Sequence, residues 1–164
     1  MAAMVAMTKP VIGAVAGVAV GIGTTVLLHC DLVYASPEAR FQLPFVNLGL
    51  VPEAASSLLA PRLMGHRRAF ELLVMGRPLD SAAAQACGLI NTVVAPGDVD
   101  AVAMKAAREI AALPAEALAT ARRLMRSPPD DIVARIDEEV RLFRERLQST
   151  EARAAFDAFL TRKR

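Results

Sequence analysis

The sequence has no tryptophan and few other aromatic side chains, six phenylalanines and one tyrosine in 164 residues. It also holds only two cysteines, Cys30 and Cys87, and two histidines, His29 and His66. Cysteines 57 positions apart form neither a disulfide framework nor a four-thiolate metal site, so they are interpreted as free thiols in a reducing, cytoplasmic compartment. Two histidines are too few for a histidine-rich metal site, and no metal is expected.

Charge of one sign is not in excess, because 19 basic and 17 acidic side chains give a formal net charge of +2. This balance implies no partner attracted by charge, and nucleic acid is not expected as a ligand. The hydrophobic content of 54% excludes a disordered protein. A chain of this length suits one domain with a sizeable core.

The charges are spread unevenly along the chain. Residues 1–61 contain five charged side chains, whereas residues 101–164 contain 23 of the 36. The first part is rich in glycine and valine, and the last part is rich in alanine, leucine and arginine. No serine- or glycine-rich linker separates them. We therefore expect one structural unit, with a core over residues 1–97 and a helical region over residues 98–164.

No charged residue occurs in the 21 positions from residue 10 to residue 30. By length this run could cross a membrane, and Gly13, Gly17 and Gly21 have the spacing of packed membrane helices. The glycines and the β-branched residues favour instead a buried strand, a tight glycine turn over residues 17–23 and a buried helix. A secretory signal fits poorly, because only one basic residue precedes the run. We expect no membrane segment.

The rest of the chain predicts short strands followed by a series of helices. Strands are expected at 31–36, 40–43 and 89–94, and helices at 56–64, 66–75 and 81–87. The region after residue 98 is expected to be helical. It includes one strongly amphipathic helix, whose apolar residues are Ile132, Ile136, Val140, Phe143 and Leu147.

The glycine turn at residues 17–23 is a candidate anion site. A turn between a strand and a helix presents backbone amides at the positively polarised end of the helix, here around Ile22. These amides could bind a phosphate or an oxyanion formed during a reaction. The glycine spacing matches neither the phosphate-loop nor the dinucleotide motif. Glycines needed only for close strand–helix packing explain the pattern equally well.

Glu53 is the only charged residue in the 21 positions from 41 to 61. A lone carboxylate among apolar residues is exposed to solvent, satisfied by hydrogen-bond donors, or raised in pKa and poised for proton transfer. Composition leaves open the simplest case, an exposed turn residue after Pro52. His29 lies in an apolar segment and is interpreted as a buried structural histidine rather than a catalytic one.

Six segments together carry a specific pattern, at residues 9–17, 20–23, 30–36, 45–53, 75–81 and 86–91. In this order they resemble the crotonase (enoyl-CoA hydratase/isomerase) superfamily, over residues 9–164. The resemblance implies an α/β fold, the ClpP/crotonase-like spiral of ββα units with a helical C-terminal region. It also implies an acyl-CoA substrate, no separate cofactor, and a homotrimer or hexamer. Members carry about a third of their chain before the first of these segments, so the fold is expected to be truncated at the N-terminus.

Carboxylate positions distinguish activities within this superfamily. Residues 44–53 match Pro-Phe-x-x-Leu-Gly-x-x-Pro-Glu at every fixed position, a pattern of the peroxisomal-type Δ3,Δ2-enoyl-CoA isomerases. The two glutamates that hydratases use correspond here to Thr25 and Phe45, neither of which can act as a carboxylate base. The resemblance therefore implies an isomerase of fatty-acid metabolism, with Glu53 as the acid/base and Phe45 and Leu50 as its apolar wall.

By the same resemblance, the Ile22 amide belongs to the oxyanion hole. Residues expected to contact the substrate are Gly21, Gly23, Phe45, Asn47 and Leu50. A rival interpretation is a non-catalytic acyl-CoA-binding module that keeps the fold but has lost turnover, because the second oxyanion donor belongs to the N-terminal region of the family. Hydration of an enoyl-CoA is the less expected activity.

Overall fold

The computed structural model describes residues 1–126 and 128–161, in which strands and helices follow a recurring strand–strand–helix order. The first elements are α1 (Ala2–Val5), β1 (Ile12–Val15), β2 (Val18–Val20) and α2 (Ile22–Thr25), which continues into a 3₁₀ turn (Val26–His29). The next are β3 (Leu32–Ala35), β4 (Arg40–Gln42), a second 3₁₀ turn (Val46–Leu48) and α3 (Ser56–Leu73). They are followed by β5 (Leu79–Asp80), α4 (Ser81–Ala86) and β6 (Thr92–Val93).

The described strands form two three-stranded sheets. One sheet has the parallel order β1-β3-β6, with Ile12 opposite Leu32. The other has the order β2-β4-β5, in which β2 is parallel and β5 antiparallel to β4. Because consecutive strands β1 to β4 alternate between the two sheets, the chain advances as a spiral of ββα units. This confirms the α/β fold that the resemblance implied.

Two apolar clusters hold these elements together. The main core joins both sheets to α3 and α4, and its fully buried large side chains include Phe41, Leu43 and Leu72. A smaller core joins α1 and the helical region to the start of α3, through Val5, Ala55, Ile132 and Ile136. The smaller core therefore fixes the residues just after Glu53 against the C-terminal helices.

The described part of residues 98–164 is helical, as expected. It comprises α5 (Val99–Ala111), α6 (Ala115–Met125), α7 (Pro129–Leu147) and α8 (Thr150–Thr161). Helix α5 packs on β1 and β3, whereas α8 packs on α7 and on the 3₁₀ turn that precedes Glu53. The last two helices thus support the loop that carries the candidate base.

The segment expected as a glycine turn contains a strand. Val18 and Val20 are 75% and 45% exposed, and Ala19 between them is buried, so β2 covers the core with one small side chain. Three residues are too few to show a strand periodicity beside the flanking glycines. The buried helix expected after the turn is a single α-helical turn, α2, followed by the 3₁₀ turn. In α3, the expected break at Gly65 is confirmed by a kink (φ 76°, ψ 155°).

The apolar run from residue 10 to residue 30 is divided among β1, β2 and α2, none of which has the length of a membrane span. Among residues 1–126 and 128–161, no helix is both long and apolar enough to cross a bilayer. Cys30 and Cys87 are half-buried free thiols, as predicted.

Candidate active site

The turn between β2 and α2 leaves two backbone amides unpaired. Gly21 adopts φ 56° and ψ −122°, a conformation that residues with side chains rarely take. The amides of Thr24 and Thr25 both donate to the Gly21 carbonyl, at 2.9 and 3.0 Å, which closes the first turn of α2. Within the described ranges, the amides of Ile22 and Gly23 make no hydrogen bond. They are available to an anion or to an oxyanion that develops during a reaction.

The loop before Glu53 is held from both sides. Phe45 and Leu50 are 6% and 7% exposed, and the Leu50 amide donates to the Phe45 carbonyl at 2.8 Å. Gly49 has φ 71°, and a Cβ there would lie 2.7 Å from the amide nitrogen of Ala152 on α8. Nε of Arg146 on α7 donates to the Gly49 carbonyl at 3.0 Å. The loop is thus fixed between the main core and the last two helices.

Glu53 lies half-buried beside α2 and accepts a hydrogen bond from Thr25. The distance from Thr25 Oγ1 to Glu53 Oε1 is 2.5 Å. Burial raises the pKa of Glu53, the Thr25 hydrogen bond opposes this, and the charge of Glu139 adds to it, so that the pKa lies above its ordinary value. Oε2 of Glu53 accepts no hydrogen bond within the described residues.

Two residues with left-handed backbone follow Glu53. Ala54 has φ 61° and Ala55 has φ 57°, a conformation that costs about 1–2 kcal/mol for a residue other than glycine. The Ala54 carbonyl accepts a hydrogen bond from Nε2 of buried His29 at 2.7 Å. The Ala55 amide donates to Oε2 of Glu139 on α7 at 2.5 Å. Partners from two distant segments therefore hold this strained turn in place.

Ile22, Phe45 and Glu53 line one pocket of about 430 Å³. Its other lining residues all come from α7 and are Val140, Phe143 and Arg144. The pocket is apolar except for one carboxylate and one exposed guanidinium. Glu53, a base with a raised pKa, and Ile22, a residue with an unpaired amide, line this pocket together. Such a pair suits proton transfer next to a carbonyl group.

The remaining predicted contact residues lie around this pocket rather than in its wall. Gly21 and Gly23 flank Ile22 in the turn. Leu50 is buried in the main core, and Asn47 is exposed on the 3₁₀ turn. Neither Leu50 nor Asn47 lines the pocket. Contact of these residues with a substrate stays a prediction.

Two residues of the site were not identified from the sequence. In the sequence, Thr25 stands out only because it replaces a glutamate that hydratases use. Glu139 is one of many acids in the charged C-terminal region and was not predicted to belong to the site. Glu139 is 4% exposed and lies three positions after Ile136 and four before Phe143, on the apolar face of α7. A carboxylate placed within an apolar helical face was the signal that could have identified it.

Larger cavities lie elsewhere in the described part of the chain, and none of them includes Ile22 or Glu53; one of about 590 Å³ lies at residues 64–71 of α3. One of about 720 Å³ lies between β1 and helices α5 and α6, and one of about 500 Å³ lies between the N-terminal segment and helices α6 and α7. In the part of the chain that the structure describes, no three His, Cys, Asp or Glu side chains are grouped so as to hold a metal ion.

The chain is similar to known proteins in its family pattern, its sequence and its structure. The model of the enoyl-CoA hydratase/isomerase family matches residues 1–164. A solved enoyl-CoA hydratase/isomerase from Pseudoalteromonas atlantica T6c superposes with a TM-score of 0.93 at 38% identity, over 99% of this chain and 66% of that one.

Two curated relatives carry different activities in their names. Enoyl-CoA delta isomerase 2 of Rattus norvegicus is 36% identical over 156 residues, which are 94% of this chain and 40% of the relative. A probable enoyl-CoA hydratase of Rhizobium meliloti (strain 1021) is 32% identical over 157 residues, 95% of this chain and 61% of the relative. The chain thus spans about 40–61% of the length of these relatives.

Proposed function

Because the chain belongs to the enoyl-CoA hydratase/isomerase family, we propose that it carries the base of an enoyl-CoA Δ3,Δ2-isomerase. Such an enzyme shifts the double bond of a 3-enoyl-CoA to position 2. The observation that carries this proposal is that Glu53 and Ile22, the first residue after the glycine turn, line the same pocket. Sequence similarity at 36% to a delta isomerase and at 32% to a hydratase supports the family but favours neither activity strongly.

Glu53 acts as the single acid/base in this mechanism. Its Oε2 takes the proton from C2 of the substrate, and the electron pair of the broken C2–H bond passes into the thioester carbonyl as a dienolate. The same carboxyl group then returns the proton at C4, which places the double bond between C2 and C3. A positioned base of this kind contributes about 10²–10⁴-fold to the rate. A raised pKa makes the carboxylate a stronger base for this step.

The Ile22 amide stabilises the negative oxygen of the dienolate. It does so as a donor fixed in place by the Gly21 turn, so that no reorganisation is needed as charge develops. Removing one such donor typically costs about 10²–10³-fold in kcat. Phe45 and Phe143 keep the pocket apolar, which strengthens the interaction of the amide with the charged oxygen.

Thr25 favours isomerisation over hydration. Addition of water calls for a base that takes a proton from the water and an acid that delivers a proton to C2, and among the described lining residues Glu53 is the only acidic one. At the position that the family resemblance assigns to the first hydratase glutamate, Thr25 instead donates a hydrogen bond to Glu53. A hydroxyl that is itself bound to the base cannot serve as a general base.

The test is the substitution Glu53→Gln, assayed with a 3-enoyl-CoA in the full protein. Glu38 provides a matched control, because it also follows a proline but is exposed on the surface. We expect Glu53→Gln to reduce kcat by about 10²–10⁴-fold and Glu38→Gln to leave kcat unchanged. Full activity of Glu53→Gln would contradict the assignment of the base.

Two further outcomes would replace the isomerase by another function. If the unmodified protein adds water to a 2-enoyl-CoA and leaves a 3-enoyl-CoA unchanged, the activity is hydration. If calorimetry detects acyl-CoA binding but neither substrate is converted, the chain is a non-catalytic acyl-CoA-binding module.

The proposed assembly is a homotrimer or hexamer formed through the helical region of residues 98–164. Large apolar side chains there are exposed, including Leu124, Met125, Phe159 and Leu160 at 62–86%. Burial of such residues between subunits would stabilise an oligomer. Sedimentation equilibrium measures the mass, and a monomer would contradict this proposal. The free thiols suit a cytoplasmic enzyme, whose ligand is acyl-CoA and which needs no separate cofactor.

A further inference from the structure

A buried carboxylate on α7 binds the loop that follows Glu53. Oε2 of Glu139 accepts the Ala55 amide at 2.5 Å, and Oε1 accepts the Ser57 amide at 3.1 Å and the Ser57 hydroxyl at 2.6 Å. Both oxygens act only as acceptors, the hydrogen-bonding pattern of an ionised carboxylate. These three bonds join α7 to the start of α3 across more than 80 positions of sequence.

Helix α3 has no capping side chain of its own. Ala55 occupies the N-cap position, and the hydroxyl of the next residue, Ser56, is buried without a partner in the described part of the chain. Glu139 therefore supplies both the acceptors that an N-cap residue would provide and a negative charge at the positive end of the helix. Its contact falls on the left-handed residue Ala55, two positions after Glu53.

We propose that Glu139 is a positioning residue for Glu53, an inference that rests on the proposed role of Glu53 as the base. By fixing the Ala55 amide, it holds the turn after Glu53 in its left-handed conformation. That turn sets the direction in which the Glu53 side chain leaves the backbone and enters the pocket. Misplacement of a reacting group by about 1 Å can cost about 10²-fold in rate.

Glu139 also acts on Glu53 through its charge. Burial is the main cause that raises the pKa of Glu53, and the like charge of Glu139 raises it further. Other charged or titratable groups around Glu53 and Glu139 in the described residues include Arg135 and Glu138 on α7, Arg144 of the same helix in the Glu53 pocket, His29 behind the Ala54 carbonyl, and the N-terminal amine. Arg135 donates to the Ser57 hydroxyl at 3.1 Å, and its guanidinium also pairs with Glu138.

The charge and the hydrogen bonds can be separated by two substitutions. Glu139→Gln removes the charge and replaces one acceptor by an amide group. Ser57→Ala removes the hydroxyl bond to Glu139, together with the bond that Arg135 donates to the same hydroxyl, and keeps the charge of Glu139. Glu145→Gln is the matched control, because Glu145 is an exposed residue of the same helix and its carboxylate pairs with Arg141.

The experiment combines a carbon-13 NMR titration of the Glu53 side-chain carboxyl with steady-state kinetics on a 3-enoyl-CoA. We expect Glu139→Gln to lower the pKa of Glu53, because a like charge is removed, and to reduce kcat by about tenfold, with KM within about twofold. Ser57→Ala should leave the pKa of Glu53 unchanged and reduce kcat about threefold. Glu145→Gln should change neither quantity.

An unchanged pKa of Glu53 together with an unchanged kcat in folded Glu139→Gln would overturn the proposal. If Glu139→Gln does not fold, Ser57→Ala decides, and an unchanged kcat in that variant would overturn it. The titration also separates this proposal from the isomerase itself. If the unmodified protein is inactive on a 3-enoyl-CoA but the pKa shift is found, the isomerase assignment fails and the action of Glu139 on Glu53 stands.

Discussion

Thr25 donates its hydroxyl hydrogen to Oε1 of Glu53 over 2.5 Å, from the helix whose first residue, Ile22, lines the same pocket as Glu53. One short helix thus contributes both the candidate oxyanion donor, three residues earlier, and the partner that orients the base. This arrangement leaves the second oxygen of Glu53 for the substrate. Thr25 should therefore affect proton transfer without touching the substrate.

Replacing Thr25 by valine removes this donor at nearly constant volume. Because the hydrogen bond stabilises the charged form of Glu53, its loss should raise the pKa of Glu53 further. We expect the acidic limb of the pH profile of kcat/KM to move to higher pH. Thr24→Val is the matched control, since the buried Thr24 hydroxyl donates to the Ala19 carbonyl and not to Glu53. If the acidic limb of the kcat/KM profile moved equally in Thr25→Val and Thr24→Val, the role of Thr25 would be contradicted.

Glu53 should make the protein less stable at neutral pH than an isosteric neutral residue would. A carboxyl whose pKa is raised by folding contributes stability below its unfolded pKa of about 4.3, and this contribution is lost as the pH rises through the folded pKa. We therefore expect Glu53→Gln to equal or exceed the unmodified protein in free energy of unfolding at pH 7. Urea denaturation at pH 4 and pH 7 measures this, and a clear loss at pH 7 would contradict it.

His29 should make stability fall in mild acid. Burial lowers the pKa of His29, because protonation would place a second N–H at Nδ1, which is buried without a partner among the described residues. A depressed pKa gives stability that is present above the unfolded pKa of about 6.5 and is lost as the pH falls toward the folded value. Thermal unfolding between pH 7.5 and pH 5 should show this loss in the unmodified protein.

The control for His29 is the same substitution, histidine to glutamine, at the exposed His66. His29→Gln should flatten the pH dependence, although it lowers stability at pH 7 by weakening the hydrogen bond to the Ala54 carbonyl. His66→Gln changes an exposed histidine and should keep the pH dependence of the unmodified protein. An unchanged slope in His29→Gln would assign the acid sensitivity to another group.

Gly49 should not tolerate a side chain. A Cβ at this position would lie 2.7 and 2.8 Å from the Ala152 amide nitrogen and Cα. Gly97→Ala is the control for backbone strain, because Gly97 also has a positive φ of 87° but has no atom within 4 Å of an added Cβ. We expect Gly49→Ala to lose about 1–3 kcal/mol more than Gly97→Ala in urea denaturation. Equal losses would mean that α8 yields to the added methyl group.

Arg144 should affect binding more than catalysis. Its exposed guanidinium lies at the edge of the pocket, where it can attract the phosphates of a coenzyme A moiety. We expect Arg144→Ala to raise KM about two- to fivefold and to leave kcat nearly unchanged. Arg141→Ala, which removes an exposed arginine of the same helix paired with Glu145, should leave KM unchanged. A fall in kcat alone for Arg144→Ala would contradict a binding role.

The order of elements could be predicted where glycine, proline and apolar spacing mark their limits. The break at Gly65, the cap at Asp80 and the start of α8 at Thr150 all carry local signals. Strand β2 does not, because it is three residues long and its stability comes from pairing with β4 rather than from its own sequence. Local patterns do not encode such pairings.

The site was predictable only in part for a related reason. Glu53 could be identified because it is a lone charge in an apolar segment, and Ile22 because it follows a glycine turn. The contacts that tune the base come from Thr25 and Glu139, which are 28 and 86 positions away and depend on how helices pack. The hydroxyl of a threonine and one acid among many in a charged helix carry no local sign of such contacts.

The left-handed pair Ala54–Ala55 has a consequence for efforts to make the protein more heat-resistant. Glycine at either position would relieve backbone strain, and a search for thermostabilising substitutions would select it. The same change would free the adjoining carboxylate to sample directions outside the pocket. Stability at high temperature and the proposed proton transfer by Glu53 therefore make opposite demands on these two alanines, and screening by melting temperature alone would select against the proposed activity.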